Sequence, residues 1–519
     1  MFIFITAGLL LLTAIVLLVL RFTSPDFRYA WLIAAGGGLL AWISVFIWQT
    51  GIPAIVQFPL WQPEALFRQS PLFVVDGIAW TFALSLTTLC LAVIVTAVAR
   101  PNFPYSLSWI GILILTALGV LAVTADNPLT LVLLWAAIDL GELVAQLRLV
   151  EGPKMSERVV IAFGSRATGI LILLWANMVS ASNGFEMDFL SAPPQAGLYL
   201  ILAAGLRLGV LPLHLPYASE SSIRRGFGTG LRMVSAGSSL VLLARIPSGS
   251  VESPLTPFLT IFVSFAALYA GWMWLRSPDE LSGRPYWVLG FGSLAVSAAL
   301  RANPIGATAW SSALILSGGA LFLASAQNKW VSRALYFGAW GISALPFSLT
   351  ATGWVNERQS LWFAIPLLLL AQAMLVAGFI RQNQRASRAT FEDQPIWAKN
   401  VYPIGIAFLL MTIFILGFFG WDGTLKLGNW LAALIASLLT FGLLWLTPRL
   451  RLLNPVRAHW VRPSTSSWLD LSYRSLWDLY RALGRISNTF SNVIEGESGV
   501  MWTLLFLALF ITIFIQRTP

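Results

Sequence analysis

Charge is scarce in this sequence. Only 10% of its 519 residues are Asp, Glu, Lys or Arg, against about a quarter in a soluble domain. Cysteine is rarer: Cys90 stands alone in an apolar run, which excludes a disulfide framework and any cysteine-held metal cluster. The two histidines, His214 and His459, lie far apart, with no haem or zinc pattern around either. No Gly-rich phosphate loop and no nucleophile motif occurs, so no cofactor, metal or catalytic site is expected in this chain. Redox chemistry would need a partner carrying the cofactors. What is abundant is apolar sequence, 57% of the chain, much of it in runs of the roughly 20 residues that cross a bilayer. The expected fold class is all-α, a polytopic membrane protein lying in lipid.

About sixteen windows meet that length. They include a fifth at Leu129–Leu147, a sixth at Val159–Ser180, a seventh at Ala196–Leu213, an eighth at Phe227–Ile246, a tenth at Tyr286–Leu300, a twelfth at Ala334–Thr350 and a last at Gly499–Ile515. The first, Phe2–Leu20, lacks a basic leader and a small-residue cleavage site, so it is read as a retained span. Basic residues test the division. Of the 32 lysines and arginines, Arg166, Arg207 and Arg232 fall inside spans, 23 fall on odd-numbered links, and six on even links and the tail. By the positive-inside rule the odd links face the cytoplasm and both termini face outward, as in a bacterial-type inner membrane. The net charge of +10 is therefore topological, with no nucleic acid implied. The longest link holds Ser467–Phe490, with Trp468, Leu471, Leu476, Leu479 and Leu483 near helical spacing between arginines. That pattern predicts an amphipathic surface helix before the last span.

An ionisable group inside a span is a functional-site hypothesis by default. Asp139 and Glu142 in the fifth span are three apart, so a helix puts them on one face. Glu142 is placed nearer the cytoplasmic end, Asp139 deeper. With Arg166, Arg207 and Arg232 in the next three spans they invite pairing, either as a relay for protons or cations or as fixed ion pairs between helices. Arginine holds its proton under ordinary conditions, so here it supplies a field for a neighbouring carboxylate and carries no proton itself.

Pro212 interrupts the seventh span beside His214, and Pro346 interrupts the twelfth; proline breaks or kinks a helix. Breaks five spans apart predict two related five-helix halves in opposite orientation, a transporter architecture. The expected divisions are N-terminal spans at 1–106, a proximal half at 107–246, a distal half at 256–380, C-terminal spans at 401–447, the amphipathic segment at 448–498 and a terminal span at 499–519.

These residues resemble the antiporter-like membrane subunits shared by respiratory complex I, membrane hydrogenases and Mrp cation/proton antiporters. The likeness is carried by V-V-D-G-I-A at Val74–Ala79, L-L-W at Leu133–Trp135, G-S-R at Gly164–Arg166, the run L-R-L-G-V-L-P-L-H-L-P ending at Pro216, and M-V-S-A-G at Met233–Gly237. The resemblance implies a subunit of an energy-converting complex related to NADH-quinone oxidoreductases, partnered by other membrane subunits and taking part in proton or cation translocation. The chain departs from the family where the chemistry lies. The fifth-span Trp-Glu pair is Trp135-Ala136 here, with Asp139 one turn on. The seventh-span lysine is Arg207, the eighth-span histidine falls at Thr229 and its lysine at Ser235, and another lysine falls at Gly318. A degenerate scaffold subunit is the alternative reading, and a stand-alone transporter of a small solute the second.

Overall fold

A computed structural model describes residues 2–449, apart from 26, 28, 60–68, 101–105, 150–152, 185–186, 218–224, 326–328, 356–358, 386–394 and 421–426. The described residues form α1 (Phe2–Thr23), α2 (Ala30–Ile47), α3 (Gly77–Val95), α4 (Ser106–Thr124), α5 (Pro128–Leu149), α6 (Pro153–Ser182), α7 (Pro194–Arg207) and α8 (Arg225–Arg245). Then come α9 (Thr256–Arg276), α10 (Glu280–Leu300), α11 (Pro304–Leu323), α12 (Lys329–Gly341), α13 (Ile365–Asn383), α14 (Ile396–Phe419) and α15 (Leu427–Arg449). They follow the first fifteen expected spans one for one. The sixteenth span and Ser467–Phe490 lie outside the described residues. A hairpin of β1 (Ala54–Gln57) and β2 (Leu72–Val75), pairing Ala54 with Val75, is a small addition to the expected all-α fold.

Twelve of these helices are long and apolar enough to cross a membrane; α7, α10 and α12 are not among them. With 14 and 13 residues, α7 and α12 are each about 20 Å long, short of a ~30 Å hydrocarbon core. Both stop five residues before a proline, at Arg207 before Pro212 and at Gly341 before Pro346. Proline lacks the amide hydrogen, clashes with the carbonyl four residues back and disfavours helix in its predecessor, so the helix ends a turn early. Helix α10 is long enough but begins at Glu280, capped by the Asp279 side chain on the Ser282 amide at 2.8 Å. Arg284, expected in a link, therefore lies inside α10 and is buried.

At the centre, α3, α8 and α11 pack against one another and are almost wholly buried. Helix α3 carries no charged side chain, and its buried hydroxyls Thr81, Ser85 and Thr87 bond back to its own carbonyls, which suits a fully enclosed helix. The small residues of α8, among them Gly230, Ser235, Gly237 and Ser238, let it approach its neighbours closely. Outward faces keep large apolar side chains, Leu171, Trp175 and Met178 on α6 and Phe258, Phe262 and Phe265 on α9, which suits contact with lipid. The pairings within α4–α8 recur within α9–α13: first helix on last, second on third, third on fourth and fourth on fifth.

A buried arginine–carboxylate network as candidate functional site

Three guanidinium groups and two carboxylates meet where α5, α6, α7 and α8 converge. Asp139 takes a two-pronged contact from Arg207, Nη1 to Oδ2 at 2.6 Å and Nη2 to Oδ1 at 2.9 Å. Arg207 Nε donates to Ser239 Oγ at 3.0 Å, and its Nη1 also to the Arg166 carbonyl at 3.2 Å. The Arg207 guanidinium lies 4.2 Å from the centre of the Trp135 ring, whose indole nitrogen donates to the Ser238 carbonyl. Glu142 is held by Arg166 on one oxygen and by Arg232 on the other, while Gln146 Nε2 donates to it at 2.6 Å. Arg166 joins the two carboxylates, since its Nε also lies 3.9 Å from Asp139. Arg232 stacks on Tyr217, 3.9 Å from the ring centre.

The sequence builds this locally. Asp139 and Glu142 share the inner face of α5 and are both buried, whereas Ala136 is only half-buried. Glu142, placed near the cytoplasmic end by sequence, is fully buried, with none of its side chain exposed. On α8, Arg232, Ser235 and Ser239 fall at spacings of three and four, one face of a helix, and Ser235 Oγ accepts from Arg166 at 3.3 Å. Gly169 makes room on α6: a Cβ there would sit 2.6 Å from Cγ of Arg207. Because α7 ends at Arg207, the guanidinium is carried at a helix C-terminus, whose partial negative charge favours a cation.

His214 stays apart. Its Nδ1 meets the Pro212 carbonyl at 2.8 Å, and no hydrogen bond or ion pair joins it to the network among the described residues. The break that carries it turns at Gly209, where φ is +77°, a conformation open to glycine, with the His214 amide donating to the Gly209 carbonyl at 2.8 Å. Pro346 sits in the separate distal break, between Ala344 and Phe347, whose φ values of 60° and 61° are strained for non-glycine residues.

Spacing alone left a second cluster unseen. Arg245 closes α8 and is buried. Its Nη1 donates to Asp126 at 2.6 Å and its Nη2 lies 3.4 Å from Asp76. Asp76, from V-V-D-G-I-A, caps α3 by accepting from the Ala79 amide at 2.7 Å. Asp126, in the link between α4 and α5, donates its amide to β2 at Leu72. Burial pushes the Asp126 carboxyl up to about 6; Arg245 opposes this, and Asp188 and Asp76 add to it.

Among the described residues the distal half has no such network. No acidic residue or lysine stands inside α9–α13; Glu280 and Lys329 only begin their helices. The break after α12 is bound by neutral groups: Gln372 Nε2 donates to Ile342 O at 3.0 Å, and Gln372 Oε1 accepts from Trp354 Nε1 at 2.8 Å. Gly341 stands where Arg207 stands in the proximal half. At Gly318, a Cβ would lie 2.4 Å from the Trp287 indole nitrogen, so no larger side chain fits there without displacing Trp287. Trp287 packs on Trp274, Phe291, Phe322 and Phe379 with ring centres 4.4–6.0 Å away.

A proximal half with a buried ion-pair network and a distal half without one among the described residues, each ending its short helix before a proline, define a multi-pass, all-α membrane protein. The same fold is seen in a chain of the Mrp complex from Dietzia sp. DQ12-45-1b, at TM-score 0.72 and 14% identity, over 100% of this chain and 63% of that one. This chain thus spans less than two thirds of that Mrp chain's length. The fold also recurs in a chain of the membrane-bound sulfane sulfur reductase, an archaeal respiratory membrane complex, at TM-score 0.65 and 13% identity, over 97% and 99% of the two chains. No protein-family model and no curated protein matches the sequence.

Proposed function

We propose that this chain is a membrane-embedded subunit of a multi-subunit energy-converting complex, and that it does not itself conduct ions along its length. The fold it shares with chains of an Mrp complex and a respiratory complex supports the first part. The aromatic filling of the distal half, with Trp287 against Gly318, supports the second. A proton path needs groups that bind and release protons near neutral pH, and α9–α13 hold no histidine, and no carboxylate or lysine beyond Glu280 and Lys329 at their helix starts. In the proximal half Asp139 and Glu142 qualify, yet each is fixed by arginines that keep their protons. The cluster is then a static brace, carrying one positive charge in excess and holding α5, α6, α7 and α8 in register.

A second reading, translocation confined to the proximal half, draws support from the unbroken polar contacts running Gln146–Glu142–Arg166–Asp139–Arg207–Ser239. In that case Arg166, which touches both carboxylates, would have to swing between them. Proton flux in vesicles bearing the assembled complex separates the readings. With Asp139→Asn or Glu142→Gln, flux per assembled complex should be unchanged; loss of flux with assembly intact would establish the second reading. A purified chain that is stable alone and carries a solute into liposomes would overturn both.

A further inference from the structure

Arg301 is buried without a carboxylate. It caps α10, and only 1% of the residue is exposed. Its Nε donates to the Ser297 carbonyl at 3.3 Å and its Nη2 to the Gly353 carbonyl at 2.9 Å, with the Trp354 ring centre 5.2 Å away. Its Nη1 has no hydrogen-bond partner, and neither do two buried hydroxyls on or next to the residues whose carbonyls it grips. These are Ser297 Oγ, on the residue whose carbonyl Arg301 grips, and Thr352 Oγ1, on the residue before Gly353. Every guanidinium of the proximal network faces Asp139 or Glu142; Arg301 faces none among the described residues. An uncompensated buried charge is costly, and two carbonyls, a ring and the partial negative charge at the C-terminus of α10 offset only part of that. The N-terminus of α11, starting at Pro304 with Asn303 as its cap, adds positive potential nearby.

We propose that Arg301, with the hydroxyls of Ser297 and Thr352, forms a site for a small inorganic monoanion of the halide class. One guanidinium matches one negative charge, and hydroxyls and an N–H supply the donors a dehydrated halide requires. A bound anion would neutralise Arg301 and pin the chain after the α12 break to the end of α10. This site stands apart from the proximal network and holds whether or not that network conducts.

The test is thermal unfolding of the full-length chain in detergent at constant ionic strength, with chloride or bromide exchanged for gluconate. The midpoint should rise saturably with halide and not with gluconate, and the rise should vanish in Arg301→Gln. Should Arg301→Gln fail to fold, Ser297→Ala and Thr352→Val retain the guanidinium. Loss of one charge-assisted hydrogen bond in either should raise the half-saturating halide concentration about tenfold. Identical unfolding in chloride and gluconate would overturn the proposal, as would a halide response unchanged in all three variants. A bromide anomalous-scattering map with its peak at Arg301 would support it, and one with peaks only elsewhere would count against it.

Discussion

At the scale of single residues, the network behaves as a set of interlocked pairs. Removing one partner of a buried ion pair leaves the other charge uncompensated, at a cost of roughly 3–5 kcal/mol. Asp139→Asn should therefore lower stability by about that amount, read as a reduced denaturation midpoint in micelles. Replacing both partners, Asp139→Leu with Arg207→Met, should cost clearly less, because an apolar pair of similar volume leaves no orphaned charge. Asp126 gives a pH dependence of known sign. Its folded pKa, about 6, lies above its ordinary 3.8, so the protonated form is favoured by folding. The stabilisation linked to it is fully present below about pH 4 and is lost as pH rises through about 6. The unfolding midpoint of wild type should fall across that window more steeply than that of Asp126→Asn. Asp139, Glu142 and the three span arginines were legible in the sequence, because charge in an apolar run has no bland surface explanation. Tyr217, Ser239 and Asp126 were not, since nothing in their own neighbourhood marks them as partners.

At the scale of elements, the two broken helices tell different stories on one plan. Each ends five residues before its proline, and that offset fixes which residue stands at the helix terminus: Arg207 in one half, Gly341 in the other. The prolines were visible in the sequence; the early stop follows from the clash with the carbonyl four residues back, and it carries the terminus clear of the proline itself. Packing also decides whether lost charge can be regained. Gly318→Lys would press on a fully buried indole, and overpacking of this kind costs about 1–3 kcal/mol. The variant should unfold earlier in a thermal scan and gain no ion flux. If Gly318→Lys proved as stable as wild type, the aromatic plug would be looser than the ring contacts of Trp287 imply.

At the scale of the whole molecule, the proposed role is decided by company. The chain should co-purify with other membrane proteins when extracted in mild detergent. Disruption of the terminal segment at 448–519 should reduce that assembly while leaving the core from α1 to α15 folded, as limited proteolysis would show. A chain recovered alone and monodisperse under the same conditions would count against subunit status.

Taken by itself, the sequence determined the membrane setting, the succession of the first fifteen helices and the two proline breaks, because bilayer thickness and proline stereochemistry act locally along the chain. It also marked the charges that had to find partners. Only the tertiary structure decided which partner each charge took, that Glu142 is as enclosed as Asp139, and that aromatic rings fill the distal half. Those outcomes depend on side chains brought together from helices far apart in sequence, where a close approach such as Gly169 beside Arg207 or Gly318 beside Trp287 settles whether a charge, a ring or nothing more fits.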